Sequence, residues 1–292
     1  MIGRAVVVGG AGAVGALFTQ RLLGSGVEVT VVDPAGPGQS VPPSARHLGG
    51  DITTVDAPLA EELGRADLVV LAVPEPVAVA AVPGLAGALR PGALLADTLS
   101  VKQAFARAVR VHAPGVQAVG LNPMFAPALG FAGRPVAAVV VHEGPAAGEL
   151  LELVESWGAT VVRVDAAGHD RLAAVGQALT HAAVLGFGLA LAGSGVPAAD
   201  LRPVAPPPAT TMLALLARVV SGTPEVYWDV QYANPEAAGA RKTLADGIHR
   251  LAEIVERGTE DDFTAVLGEL RAYLGDDLAH HRDACARLFA RT

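Results

Sequence analysis

The sequence predicts an α/β fold in two parts. A doubly wound, largely parallel sheet occupies 1–165, and an all-helical part follows over 166–292. Three observations carry this. Short β-branched runs alternate with helically spaced segments through the first half. A glycine-rich turn, Gly10-Ala11-Gly12-Ala13-Val14-Gly15, sits between the first strand and the first helix. No strand-like run of any length survives beyond about Ala166. At 292 residues, 51% of them hydrophobic, the chain is long enough to pack two domains.

Arg4–Gly10 is β-branched and ends in glycine, so it reads as a buried strand. Ala13–Leu23 follows with helical spacing, and Val27–Val32 is a second strand closed by Asp33. Residues 34–50 are rich in Pro, Gly and Ser and read as a loop. Leu68–Val73 is a strand stopped by Pro74, 75–89 a helix, and Ala93–Ala96 a strand. Lys102–His112 is a helix and Val116–Leu121 a strand. Val136–Val141 and Thr160–Val164 are strands flanking a helix at 146–157. The second half predicts helices at 166–193, 208–220, 224–233, 236–257 and 260–289, with breaks at Gly195, Pro203 and the prolines 206–208.

Composition excludes several roles. A net charge of −8 with no clustered basic run argues against nucleic-acid binding. One cysteine, Cys285, rules out an internal disulfide framework and fits a reducing cytoplasm. The chain enters a core strand at once, so no signal peptide is expected. Mean hydropathy is +0.43, yet Pro74, Glu75 and Pro76 interrupt the apolar run 69–89, and Gln177, Thr180 and His181 interrupt 171–196. No convincing membrane span of roughly 20 apolar residues is expected. His280 and His281 near Asp276 and Asp277 read as a solvated helix end, and no metal is expected. Trp157 and Trp228 read as core or interface residues. His112, His142 and His169 show no partner in the sequence.

The G-x-G-x-x-G turn points to a dinucleotide. Gly10 would permit the tight turn, Gly12 close approach of a pyrophosphate, and Gly15 close packing of helix on strand. The phosphates would lie on the helix N-terminus at Ala11, Ala13 and Val14, where free N–H groups favour negative charge. Asp33 stands near the offset of about 20 residues expected for a ribose-binding acid. It would accept from a 2′-hydroxyl and repel a 2′-phosphate, favouring NAD over NADP. An ordinary loop acid is the alternative. Val73 and Pro74, closing the next strand, are further candidate cofactor contacts.

Asp97-Thr98-Leu99-Ser100-Val101-Lys102 follows one strand, and Gly120-Leu121-Asn122-Pro123-Met124-Phe125-Ala126-Pro127 ends the next. Both loops fall on the sheet edge that faces a cofactor. The plainer reading makes Ser100 or Thr98 a helix cap.

At these residues the chain resembles the prephenate dehydrogenase family. Beyond the glycine fingerprint, the resemblance rests on D-x-x-S-V-K at 97–102, an "HPMFGP"-like segment at 122–127, Gln177-Ala178-Leu179-Thr180-His181, and Pro224-Glu225-Val226-Tyr227-Trp228-Asp229-Val230. It implies a Rossmann-type domain joined to a helical domain that builds a homodimer and closes the substrate cleft. It also implies NAD(P)-dependent oxidation of a dicarboxylate cyclohexadiene with decarboxylation. Ser100 would then sit near the nicotinamide and the C4 substituent. Met124 and Thr180 would line the substrate, and His181 would reach toward it. Lys102 is part of the motif or a solvated helix residue. Arg241 and Lys242 are candidates for the substrate carboxylates, with Arg250 weaker; a solvated helix face is the alternative for each.

Asn122 departs from the family, which carries histidine there as proton acceptor. An amide is no base near neutral pH; its oxygen only accepts hydrogen bonds. Either the chemistry is lost or the substrate does not need the base. An amino group at C4 stabilises the cation left by hydride loss better than a hydroxyl does. The resemblance therefore implies 4-amino-4-deoxyprephenate as first-choice substrate, giving 4-aminophenylpyruvate, with prephenate second and arogenate third. A catalytically silent NAD-binding regulator is the rival. The helices run to Thr292, so no appended regulatory domain is expected.

Overall fold

The computed structural model describes residues 1–36 and 41–290; part of the expected loop 34–50 and the terminal Thr292 lie outside them. Eight strands form one sheet in the order β3-β2-β1-β4-β5-β6-β7-β8. They are β1 (Arg4–Val8), β2 (Glu28–Val32), β3 (Arg46–Leu48), β4 (Leu68–Leu71), β5 (Leu94–Asp97), β6 (Gln117–Pro123), β7 (Pro135–His142) and β8 (Thr160–Arg163). All neighbours pair in parallel except β6 with β7. The order reverses beside β1, which opens the crevice at the carboxyl ends of β1 and β4 where such sheets take ligands.

The alternation of side chains along each strand makes two cores. Ala5, Val7, Val29, Val31, Leu68 and Val70 pack with Phe18, Leu22, Phe131 and Trp157. On the opposite face Val6, Val8, Val32, Val69 and Leu71 pack with Leu59, Leu63, Val82, Leu85, Phe105 and Val109. Helices α1 (Ala13–Gly24), α2 (Ala57–Arg65), α3 (Glu75–Ala88), α4 (Gln103–His112) and α5 (Pro145–Ser156) cover the sheet.

Two elements here correct the sequence reading. The stretch read as loop contains β3, paired through Thr30↔Arg46; three residues are too few to show a period. Helix α2 was not expected; Asp56 caps it by accepting from Leu59 N at 3.0 Å.

The chain divides into two compact units, 1–173 with 228–235, and 174–227 with 236–292. A helix, α6, runs over Ala166–Gly193 and carries a π-helical stretch at Ala174–Leu179. By length and composition it is apolar enough to cross a membrane. After it come α7 (Ala198–Leu201), α8 (Pro207–Val220), α9 (Pro224–Tyr232), α10 (Ala237–Arg257), α11 (Glu260–Leu274) and α12 (Leu278–Phe289). The expected single helix 260–289 is two, because Gly275 adopts φ +51°, which ends a helix.

Candidate active site

The cofactor cradle forms where β1 turns into α1. Gly9, not Gly10, makes the tight turn: its φ is +76°, and a Cβ there would fall 2.2 Å from the carbonyl oxygen of Ala72 after β4. Gly10 instead lets Val31 pack against the backbone, since a Cβ would meet Val31 Cγ1 at 2.6 Å. A Cβ on Gly15 would lie 2.3 Å from Gly9 O, so helix and turn touch as expected. Gly12 is exposed, with only Gly9 O at 3.3 Å near the place of a Cβ. The first turn of α1 (Ala13, Val14, Gly15) holds no acidic residue that would compete with a phosphate.

Asp33 is no solvated loop acid. It is 8% exposed, and its carboxylate accepts from Ala11 N at 3.2 Å and Ala35 N at 3.0 Å. Those bonds tie it to the glycine turn and leave lone pairs for a sugar hydroxyl. Val73 is half-buried and Pro74 exposed at the end of β4, next to this turn. These residues fit a dinucleotide.

Beside the cradle lies a buried polar network. Lys102, read as solvated or part of the motif, is 1% exposed; its Nζ pairs with Asp97 and donates to Leu121 O at 2.9 Å. Gly120 makes the room, for a Cβ there would meet Asp97 Oδ2 at 2.7 Å and Lys102 Cδ at 2.8 Å. Burial pushes Asp97 up and Lys102 down, while each charge pulls the other back.

Neither Ser100 nor Thr98 caps α4. Asp170 does so from 68 residues away, accepting from Lys102 N at 2.8 Å, and its second oxygen accepts from Gln103 N at 3.1 Å. Thr98 Oγ1 instead donates to Leu71 O at 3.3 Å. Asp170 Oδ1 also lies 2.8 Å from His169 Nδ1, and His169 Nε2 lies 3.0 Å from Asn122 Nδ2. Asn234 Nδ2 donates to Asp170 O at 2.8 Å. Burial would push Asp170 up, but the bonds from His169, Lys102 and Gln103 outweigh it and hold its carboxyl below the usual range. Asn122 and His169 are each 2% exposed. Ser100 and Met124 are half-buried on the same sheet edge.

Within the second unit, the ring of half-buried His181 meets Tyr227 edge-on at 5.0 Å. Burial, then the charge of Arg218, lowers its pKa. Its Nδ1 is buried without a hydrogen-bond partner among the described residues. Thr180 is exposed, its hydroxyl 3.5 Å from Val175 O. Of the cations proposed for the substrate, Lys242 pairs with Asp246 at 2.7 Å and Arg250 with Glu269 at 2.8 Å, all on exposed helix faces. Arg241 is exposed as well.

Two family models match the chain: the prephenate dehydrogenase nucleotide-binding domain over 24–137, and the prephenate dehydrogenase dimerization domain over 165–269. A 4-amino-4-deoxyprephenate dehydrogenase of Streptomyces pristinaespiralis is 55% identical over 289 residues, 99% of this chain and 97% of its own. The chain belongs to the prephenate dehydrogenase family. A probable arogenate/prephenate dehydrogenase of Methanocaldococcus jannaschii is 26% identical, over 93% of this chain and 61% of its own. Among solved folds, a prephenate dehydrogenase from A. aeolicus, in complex with hydroxyphenyl propionate and NAD+, superposes with a TM-score of 0.74. It is 18% identical and covers 94% of this chain and 97% of its own.

Several residues of this candidate site escaped the sequence reading. His169 and Asp170 lie 47 and 68 residues from the groups they bind. Glu75 left one signal, a charge between two prolines in an apolar run. It is half-buried, and its carboxyl is pushed up to about 7 by burial, then by the charges of Asp229, Asp170 and Asp97. Protonation therefore favours the folded state. Its stabilising contribution is full below its ordinary value of 4.5 and is lost as pH rises through about 7. Glu75→Gln should leave Tm unchanged below about pH 5 and raise it near about pH 8. After discounting for its exposure, the gain is about 1 kcal/mol, or about 2–4 °C. A pH series of thermal melts checks this; equal shifts at both ends would remove the assignment.

Proposed function

We propose that this protein oxidises and decarboxylates 4-amino-4-deoxyprephenate with NAD, giving 4-aminophenylpyruvate, carbon dioxide and NADH. The carrying observation is Asn122, a buried amide at the family's proton-accepting position. It supplies a hydrogen-bond acceptor and no base. NAD, when bound, supplies the hydride acceptor. With a neutral amine at C4, the nitrogen lone pair stabilises the charge that hydride loss leaves behind. The bond from ring carbon to carboxylate then breaks, its electron pair completes the aromatic ring, and no proton has to leave. Asn122 orients the amine, and Ser100 and Met124 on the same edge line the ring.

Residues 1–165 serve the cofactor, and 166–292 serve dimerisation and the substrate cleft. His181 and Thr180 contribute from that second part, with Arg241, Lys242 and now Arg218 as candidate partners of the substrate carboxylates. A homodimer suits the apolar side chains that the second unit exposes, among them Leu189, Ile248, Val255 and Tyr273. Exposed, unpaired Cys285 suits the cytoplasm. NADH formation with the amine, prephenate and arogenate side by side tests the reaction; a silent NAD-binding regulator forms none with any of them.

The cofactor choice rests on Asp33. A 2′-phosphate would lose the hydroxyl's bond and meet a carboxylate already fixed by Ala11 N. NAD should be preferred over NADP by about 1–3 kcal/mol in kcat/KM. Equal efficiency with both would remove Asp33 from the ribose site.

A further inference from the structure

The network behind Asn122 has a direction. Asp170 Oδ1 accepts a hydrogen bond from Lys102 N at 2.8 Å and lies 2.8 Å from His169 Nδ1. An ionised carboxylate only accepts, and the bonds it receives hold Asp170 ionised. So Nδ1 carries the hydrogen, and when the ring carries no second proton Nε2 presents a lone pair. The group 3.0 Å from that lone pair must donate, which makes it the Asn122 amide nitrogen. Asn122 and His169 are 2% exposed and Asp170 is 0% exposed, which leaves little access for water to replace these bonds.

We propose that His169, held by Asp170, is a positioning residue that locks the Asn122 amide with its carbonyl oxygen available to the substrate. This rests on reading Asn122 as the residue beside C4. The orientation matters because an amine has one lone pair. Oδ1 accepts an amine N–H and leaves that lone pair to stabilise positive charge at C4. A reversed amide would donate N–H to the same lone pair and withdraw it from the ring. A hydroxyl has two lone pairs, so reversal costs it less. The lock therefore favours an amine at C4 and has a smaller effect on a hydroxyl.

Two measurements test this. The first uses no substrate: nitrogen-15 NMR of His169, assigned by its disappearance in His169→Gln. The expected state is the tautomer with Nδ1 protonated and Nε2 bare; a proton on Nε2, whether Nδ1 is bare or protonated, overturns the proposal. The second is steady-state kinetics of His169→Met and His169→Gln. Methionine offers no comparable acceptor, so kcat for the amine should fall at least about tenfold and kcat for prephenate by less. Glutamine can accept from Asn122 and donate to Asp170, so it should keep kcat for the amine within about threefold of native. An amine-to-prephenate ratio unchanged by methionine, or a glutamine variant no better than methionine, overturns it. If native enzyme prefers prephenate while His169 shows the expected tautomer, the substrate reading fails and the hydrogen-bond direction stands.

Discussion

Asn122→His should raise kcat/KM on prephenate by about 10²–10⁴-fold, the usual worth of a general base. The substitution restores a proton acceptor for the 4-hydroxyl at the sheet edge where β6 ends. The same change should add little to turnover of the amine. It can also lower it, because imidazole removes the carbonyl oxygen that accepts the amine N–H. His169 Nε2, 3.0 Å away, is a ready partner for the new ring. The site is buried, however, and fitting a larger side chain costs typically about 1–3 kcal/mol, which limits the gain. The check is kcat/KM for both dienes with native and variant proteins. A variant no faster on prephenate would mean that position 122 does not face the C4 substituent.

Lys102→Met should destabilise the protein by about 3–5 kcal/mol, the cost of removing one partner from a buried ion pair. Lys102 and Asp97 side chains are each 1% exposed, and Asp97 Oδ2 already has no hydrogen-bond partner among the described residues. Without the ammonium, burial of Asp97 goes uncompensated, and the carbonyl of Leu121 loses its donor. Thermal melting should fall by about 6–20 °C in a chain of this size. Adding Asp97→Leu should recover part of the loss, since the stranded charge is then gone too. Urea unfolding of the three proteins measures the effect, and a loss under about 1 kcal/mol would mean the pair is not closed in solution.

The parts legible in the sequence were those that local pattern controls. The strands of the first half show in β-branched runs, and the cofactor turn shows in its glycine spacing. Gly9 was missed because two adjacent glycines look alike until the close approach of Ala72 singles one out. Lys102 shows the limit of reading a charge as solvated. Its burial depends on Asp97, on Leu121 O and on the space left by Gly120, which strand register places opposite Asp97. His169 showed no partner because its partners come from β6 and, through Asp170, from the start of α4. The resemblance found Tyr227 and His181 as separate motifs, and the fold brings their rings together.

The most direct test of the account is kcat/KM of the native enzyme for 4-amino-4-deoxyprephenate against prephenate, with NAD under one set of conditions. The account predicts faster turnover of the amine, because Asn122 provides an acceptor without a base. Faster turnover of prephenate, or no NADH from the amine, would contradict it.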